Sequence, residues 1–279
     1  MAITNSYLTL ESLKAGSRIT TTDATDDAFL ETLLVAASRW ADNLVGRRFM
    51  PYVDTREFDI PRDDELWLDD DLLEALTVTN GDGTALTVST DYVFKPANAT
   101  PKYSIVLRDT SSLYWSVNSS SSAQQVIAIA ALWGYREQYS SSGWVTITTL
   151  AEELDATETA WDLTSAASLS AAGGQLVRVE NELAFTASTA TNTLTVQARG
   201  GNGSTAATHA NGTAVKLWNV EPAVVEAVRL VVNALEKRRV GDNISSESFI
   251  TPGGVIISPQ DIPSGAVALM SPYRPLVVA

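Results

Sequence analysis

Residues 75–88 read ALTVTNGDGTALTV, and this stretch decides how the middle of the chain folds. Apolar and polar residues alternate on both sides of Asn80-Gly81-Asp82-Gly83. A period of two is typical of a half-buried β-strand. Asn-Gly between two such runs accommodates the positive φ angles of a tight turn. The stretch therefore predicts a β-hairpin.

Working outward from this hairpin, further short runs predict a meander of strands, at residues 54–59, 92–94, 104–108 and 126–133. After residue 145 the composition changes, and Thr, Ala, Ser, Gly and Asn dominate. Strands are expected there at 175–179, 183–186, 193–196 and 213–218, separated by turn residues at intervals typical of small β-domains. We interpret residues 146–218 as an inserted all-β module, either a sandwich or a barrel.

Helical periodicity is confined to both ends of the chain. Thr9 can cap a short helix, and a longer one is expected from Asp26 to Gly46. The longer helix has an apolar stripe that predicts core or a subunit contact, formed by Phe29, Leu33, Ala36, Ala37, Trp40, Leu44 and Val45. A third helix is expected from Pro222, and three bases occupy its electronegative C-terminal end: Lys237, Arg238 and Arg239.

These segments predict an α+β fold in four parts. Residues 1–145 form the first part of a core, with helices followed by strands, and residues 146–218 form the insert. Residues 219–241 supply a closing helix, and residues 242–279 an extended tail. The tail is apolar and rich in proline, which is unusual for a free terminus and suggests docking on this chain or on a neighbour. Its candidate docking residues are Val267, Leu269, Met270, Tyr273, Arg274 and Leu276.

Composition excludes several classes of function. The chain has 33 acids, 19 bases, one histidine and no cysteine, for a net charge of −14. Without cysteine there is no disulfide, thiolate nucleophile or cysteine-ligated metal. A single histidine cannot form a two-histidine metal site. The acidic surplus argues against binding DNA by phosphate neutralisation. The longest apolar run, at residues 126–133, is far shorter than a membrane span.

Two parts of the sequence contain residue types that could carry chemistry. Residues 63–74 resemble a calcium loop in length, but Trp67 and Leu68 occupy positions that need an oxygen ligand and a glycine. We expect a solvated acidic loop there, and an opportunistic cation site is the alternative. His209 is expected to be structural or exposed in a loop, since no nucleophile motif accompanies it. The sequence thus predicts a protein that is not an enzyme and has no cofactor.

The order of segments resembles the head-to-tail connector, or adaptor, proteins of tailed bacteriophages. The similar segments are residues 8–14, 26–30 leading to 46–49, 55–58, the hairpin with Asp91-Tyr92, Trp133-Gly134-Tyr135, the helix from Pro222, and Leu269 to Arg274. They cover about 200 residues in the two flanks. The insert resembles a small β module of phage virion proteins, with residues 176–180 and 193–196 followed by Arg199-Gly200, Gly203 and His209-Ala210.

The resemblance implies a helical adaptor core and a homo-oligomeric ring, typically of twelve copies, in the virion neck. The C-terminal region would engage the portal protein and the other side would receive a neck or tail completion protein. DNA would pass through the ring without specific binding, and the subunits would be made in the host cytoplasm. Removing residues 251–279 is then expected to abolish portal binding while the fold remains.

The alternative is a virion decoration or host-surface binding protein that acts through the β insert. Glycan binding that is lost when residues 146–218 are excised would favour it. An enzyme ranks third, because no nucleophile, base and orienting group are brought together by any motif.

Overall fold

A computed structural model describes residues 5–17, 24–240, 249–250, 256–257 and 262–275 of the chain. Its α-helices are α1 (Leu10–Ser17), α2 (Asp27–Val45), α3 (Pro222–Val240) and α4 (Ser264–Met270). Most of the remaining regular structure is β-strand, arranged mainly in two antiparallel six-stranded sheets.

The first sheet follows the predicted meander closely. Its strands are β1 (Tyr52–Phe58), β2 (Glu65–Thr79), β3 (Ala85–Leu86), β4 (Tyr92–Lys95), β5 (Lys102–Leu107) and β6 (Ile127–Trp133). They lie in the order β1-β6-β2-β5-β4, and β3 pairs with β2. Apolar residues of this sheet enclose a core of their own, together with Trp115.

The predicted hairpin is confirmed, because Val78 lies opposite Leu86 in the β2–β3 ladder. The turn differs in detail, since the positive φ angle of 86° belongs to Gly83 and not to the Asn-Gly pair. Gly81 is needed for another reason: a Cβ added there would lie 1.9 Å from the carbonyl oxygen of Ser116. Close backbone approach, not turn handedness, is what requires glycine at this position.

The predicted acidic loop at 63–74 is wrong for most of its length, because β2 begins at Glu65 and runs through it. Irregular pairing interrupts the ladder between Trp67 and Leu72. Asp69 and Asp70 form ion pairs with Arg56 at 2.6 and 2.8 Å. Arg56 belongs to β1, which is not adjacent to β2 in the sheet, so these ion pairs are contacts between non-neighbouring strands.

The second sheet takes all six strands from residues 144–218, which overlap the proposed insert. They are β7 (Trp144–Thr149), β8 (Ala160–Asp162), β9 (Leu176–Val179), β10 (Glu182–Ala190), β11 (Thr193–Val196) and β12 (Ala214–Trp218). The order is β7-β12-β9-β10-β11-β8. Just beyond the two edge strands, Leu150 and Leu163 form a bridge that brings those edges together, as in a small barrel.

The predicted α+β fold with a helical core is wrong. The chain is mostly β, with two six-stranded sheets and four α-helices among the described residues. The helices form one layer against the sheets, and each sheet encloses an apolar core. Two short strands, β13 (Phe249–Ile250) and β14 (Ile256–Ile257), pair with each other, and α4 is helical where an extended tail was expected.

The stripe that α2 buries overlaps the predicted one only at Ala37 and Val45. Its buried apolar residues are Leu30, Leu34, Ala37, Ala41 and Val45, whereas Phe29 is 37% exposed. Apolar residues cover more than one stripe of this helix, so periodicity alone could not select which stripe faces the core.

A third core joins the helices to both sheets. Leu73 and Leu132 come from the first sheet, and Leu183 and Phe185 from the second. In β9 and β10 alternate residues face opposite sides, so one set fills the second sheet's own core and the other packs on the helical layer. The insert is therefore part of the same folded body as the flanks.

Candidate docking region and its buried charge network

The C-terminal element is held on this chain's own helices. The helix α4 packs on α3 and α2, and Ala266 and Met270 are completely buried there. A 3₁₀ turn, Ser271–Tyr273, follows α4 and directs the ring of Tyr273 onto the helical layer. Residues 264–273 of the tail are thus docked on this chain's own helices.

An aromatic cluster holds Tyr273 in place. Its ring lies 5.5 Å from that of Phe49 and 5.6 Å from that of Tyr135, and the Phe49 and Tyr135 rings are 5.7 Å apart. Tyr7 adds a fourth ring, 5.9 Å from Phe49. All four contacts are edge-to-face, an arrangement that contributes about 0.5–1.5 kcal/mol per pair beyond burial. Phe49, which lies three residues before β1, therefore helps to anchor the C-terminal turn.

The predicted docking residues occupy different environments. Met270 is buried, while Val267, Leu269 and Tyr273 are half-buried, and Arg274 is exposed. Leu276 lies outside the described residues, as do the side chains of Lys237, Arg238 and Arg239, whose backbone belongs to α3. Among the described side chains of this set, Arg274 is the exposed one.

A buried ion pair lies beneath the C-terminal turn. Arg136 pairs with Glu221, and both side chains are 6% exposed. Glu221 also accepts a hydrogen bond from the backbone N–H of Glu137 at 2.8 Å. Burial, and then the charges of Glu221 and Glu137, raise the pKa of Tyr273. The tyrosine hydroxyl is therefore neutral at physiological pH.

A second ion pair supports the aromatic cluster from the first sheet. Arg47 donates a hydrogen bond to Asp71 at 2.6 Å, and its guanidinium lies 4.5 Å from the ring centroid of Tyr135. Burial raises the pKa of Asp71 to about 6, and the neighbouring Asp70 acts in the same direction while Arg47 opposes both. The crevice beside this pair, about 170 Å³ in volume, is also lined by Pro275.

Asp71 makes stability depend on pH in a defined direction. Its folded-state pKa of about 6 lies above the ordinary value of 3.8, so the folded state binds more protons between these values. Stability therefore decreases as pH rises from about 4 to about 6. Asp71→Asn lacks this titration. The difference between its free energy of unfolding and that of wild type is therefore expected to shift in favour of the variant by about 2–3 kcal/mol between pH 4 and pH 7.

Urea unfolding of both proteins at each pH measures this difference. Groups that titrate equally in both proteins contribute equally to the two free energies of unfolding and therefore cancel. A difference that stays constant between pH 4 and pH 7 would show that Asp71 titrates in the folded chain as it does in the unfolded one.

The most highly connected charge network lies in the second sheet and was not predicted. The Glu182 side chain is completely buried and accepts two hydrogen bonds from Arg199, at 2.7 and 2.8 Å. It also accepts backbone N–H groups of Gly200 and Ala207, both at 3.0 Å. Burial acts to raise the pKa of Glu182, but these donors and His209 outweigh it and lower the pKa to about 2.

His209 lies within this network and is 2% exposed. Its Nδ1 is 2.8 Å from Glu180 and its Nε2 is 2.9 Å from Glu182. Both ring nitrogens are therefore engaged by carboxylates, and neither is available as a base toward a nucleophile. The histidine connects the β9–β10 turn to the segment before β12, which is a structural role.

The sequence feature that could have revealed this network is the position of Glu182 in its strand. Ala184 lies inside the second sheet's core, so residue 182 falls on the inward face by alternation. A glutamate at an inward position requires a buried cationic partner. Arg199, already noted in the resemblance of the insert, supplies it.

Comparisons with known proteins identify no relative of this chain. No protein-family model matches the chain, and neither curated proteins nor solved structures show a match. Within the described ranges, no three acidic, histidine or cysteine side chains converge to hold a metal ion. No described helix is both long and apolar enough to cross a membrane. The candidate docking region therefore rests on its own geometry.

Proposed function

We propose that this protein is a structural virion protein, a head-to-tail adaptor that forms a ring between the portal and the neck or tail of a tailed phage. The observation that carries this proposal is the packing of the segments that resemble the adaptor family. Leu13, Phe49, Val228 and Met270 come from four of these segments and share one core. Segments far apart in sequence thus build one structural unit.

The charge of the chain also supports the proposal. With a net charge of −14 per subunit, a ring of copies would surround DNA with charge of the same sign. Such a ring repels phosphates instead of neutralising them, so DNA slides through without being gripped.

Electron microscopy of the protein mixed with the portal protein of the same virion tests this proposal. We expect a symmetric collar on one face of the portal. A portal that remains bare at saturating protein concentration would refute the adaptor role.

Because part of the tail packs on the helices, a point substitution tests its role in portal binding better than a truncation does. Deleting residues 251–279 would remove Ala266 and Met270 from the helical core, so we now expect this truncation to destabilise the fold as well as to remove any portal contact. Arg274→Glu alters an exposed side chain instead. We expect it to weaken portal binding at least about fivefold through loss of a surface charge, whereas the same charge change at exposed Lys216 has no effect. Equal binding by both variants would exclude Arg274 from the portal interface.

A further inference from the structure

A surface groove of about 570 Å³ opens at the end of the first sheet. Apolar side chains line it, including Phe58, Ile60 and the buried Leu66. Trp67 forms one wall and is 68% exposed. A tryptophan this exposed on a regular strand, beside other apolar side chains, is a surface feature that marks recognition sites.

The charge of the groove is unbalanced. Four acids and one base line it: Glu57, Asp59, Asp63, Glu65 and Arg62. Glu65 pairs with Lys95 at 3.1 Å, and Asp59 accepts the backbone N–H of Gln125 at 2.7 Å. Among the residues that the structure describes, Glu57 and Asp63 form no ion pair. Two exposed carboxylates without an ion pair thus line the same groove as the exposed indole of Trp67.

We infer that this groove binds a lysine- or arginine-bearing segment of a partner protein. The cationic group would contact the carboxylates of Glu57 and Asp63 and the ring face of Trp67. The aliphatic stem of the same side chain would cover Phe58 and Ile60. The apolar stem of such a side chain matches the apolar lining of the groove, and its positive end matches the negative charge of the groove.

A metal ion does not fit the same features. It has no apolar stem to cover the lining, and the groove's carboxylates do not belong to any set of three converging ligands among the described residues. Nucleic acid is disfavoured as well, because the groove is acidic. The inference is independent of the adaptor role, since any basic partner segment would satisfy it.

The test measures binding of a dye-labelled peptide, Gly-Arg-Lys-Arg-Gly, to the full chain by fluorescence anisotropy at low salt. Trp67→Thr removes the ring and keeps strand propensity. The double variant Glu57→Gln/Asp63→Asn removes two charges and no ion pair. Each is expected to weaken binding at least about fivefold.

Two control variants match these changes elsewhere on the surface. Tyr114→Thr removes an aromatic side chain that is 73% exposed, and Glu152→Gln/Glu153→Gln removes two charges near the second sheet. Both should bind within about twofold of wild type, since screened charges distant from the groove contribute little. Equal weakening by Glu152→Gln/Glu153→Gln, or unchanged binding by Trp67→Thr, would overturn the inference and indicate general attraction to an acidic protein.

Discussion

Replacing Glu182 with glutamine is expected to lower the free energy of unfolding by about 3–5 kcal/mol. The variant keeps the size of the side chain but removes the charge that Arg199 and His209 face. Arg199 is 5% exposed and His209 1% exposed at the side chain, so neither can regain water without opening the second sheet. The loss therefore includes the cost of leaving the buried Arg199 guanidinium without its carboxylate.

Urea unfolding at pH 7 measures this change, and Glu153→Gln is its matched control. Glu153 is exposed, so the same chemical change there is expected to alter stability by no more than about 0.5 kcal/mol. If Glu182→Gln were as mild as the control, the network would contribute little to the fold, whatever its distances.

Phe49→Ala is the second substitution with a large expected effect, about 3–5 kcal/mol. Phe49 is completely buried at the centre of the aromatic cluster, and its removal leaves a cavity against Tyr7, Tyr135 and Tyr273. Because Tyr273 loses one of its two ring partners, the C-terminal element should also open more often than the rest of the chain. Hydrogen exchange at residues 264–273 reports this local opening.

Phe94→Ala provides the comparison, since Phe94 is half-buried against the first sheet's separate core. It is expected to cost less stability and to leave the exchange of residues 264–273 changed only through global unfolding. Local exchange that is identical in the two variants would mean that the aromatic cluster does not hold the C-terminal element.

Local patterns were sufficient for most individual elements. The period of two located β1, β4, β5 and β6 to within a few residues, and a cap with an apolar stripe located α2. These succeeded because a strand or helix that buries one face repeats its apolar residues at the period of its own backbone. The strands β7 and β8 were missed, since Thr-rich and very short strands carry little alternation.

The fold class failed for a different reason. The resemblance implied a core made of helices. Whether helices or sheets dominate the fold depends on how many strands join each sheet. Local periodicity does not show which distant strands become hydrogen-bond partners. The docked tail shows the same limit. An apolar sequence predicts burial, but only the tertiary structure places Met270 against this chain's own helices instead of a neighbour.

The sequence alone determined an acidic chain without cysteine, a hairpin at residues 75–88, a β-rich stretch after residue 145 and helices near both ends, because these follow from composition and local backbone periodicity. The tertiary structure decided the joining of the sheets through one helical layer, the stripe of α2 that is buried, and the pairing of Glu182 with Arg199 and His209. Those features depend on contacts between residues far apart in the chain. Several apolar faces of the helices and sheets could fill the same core, and the combination that packs best is the one that forms.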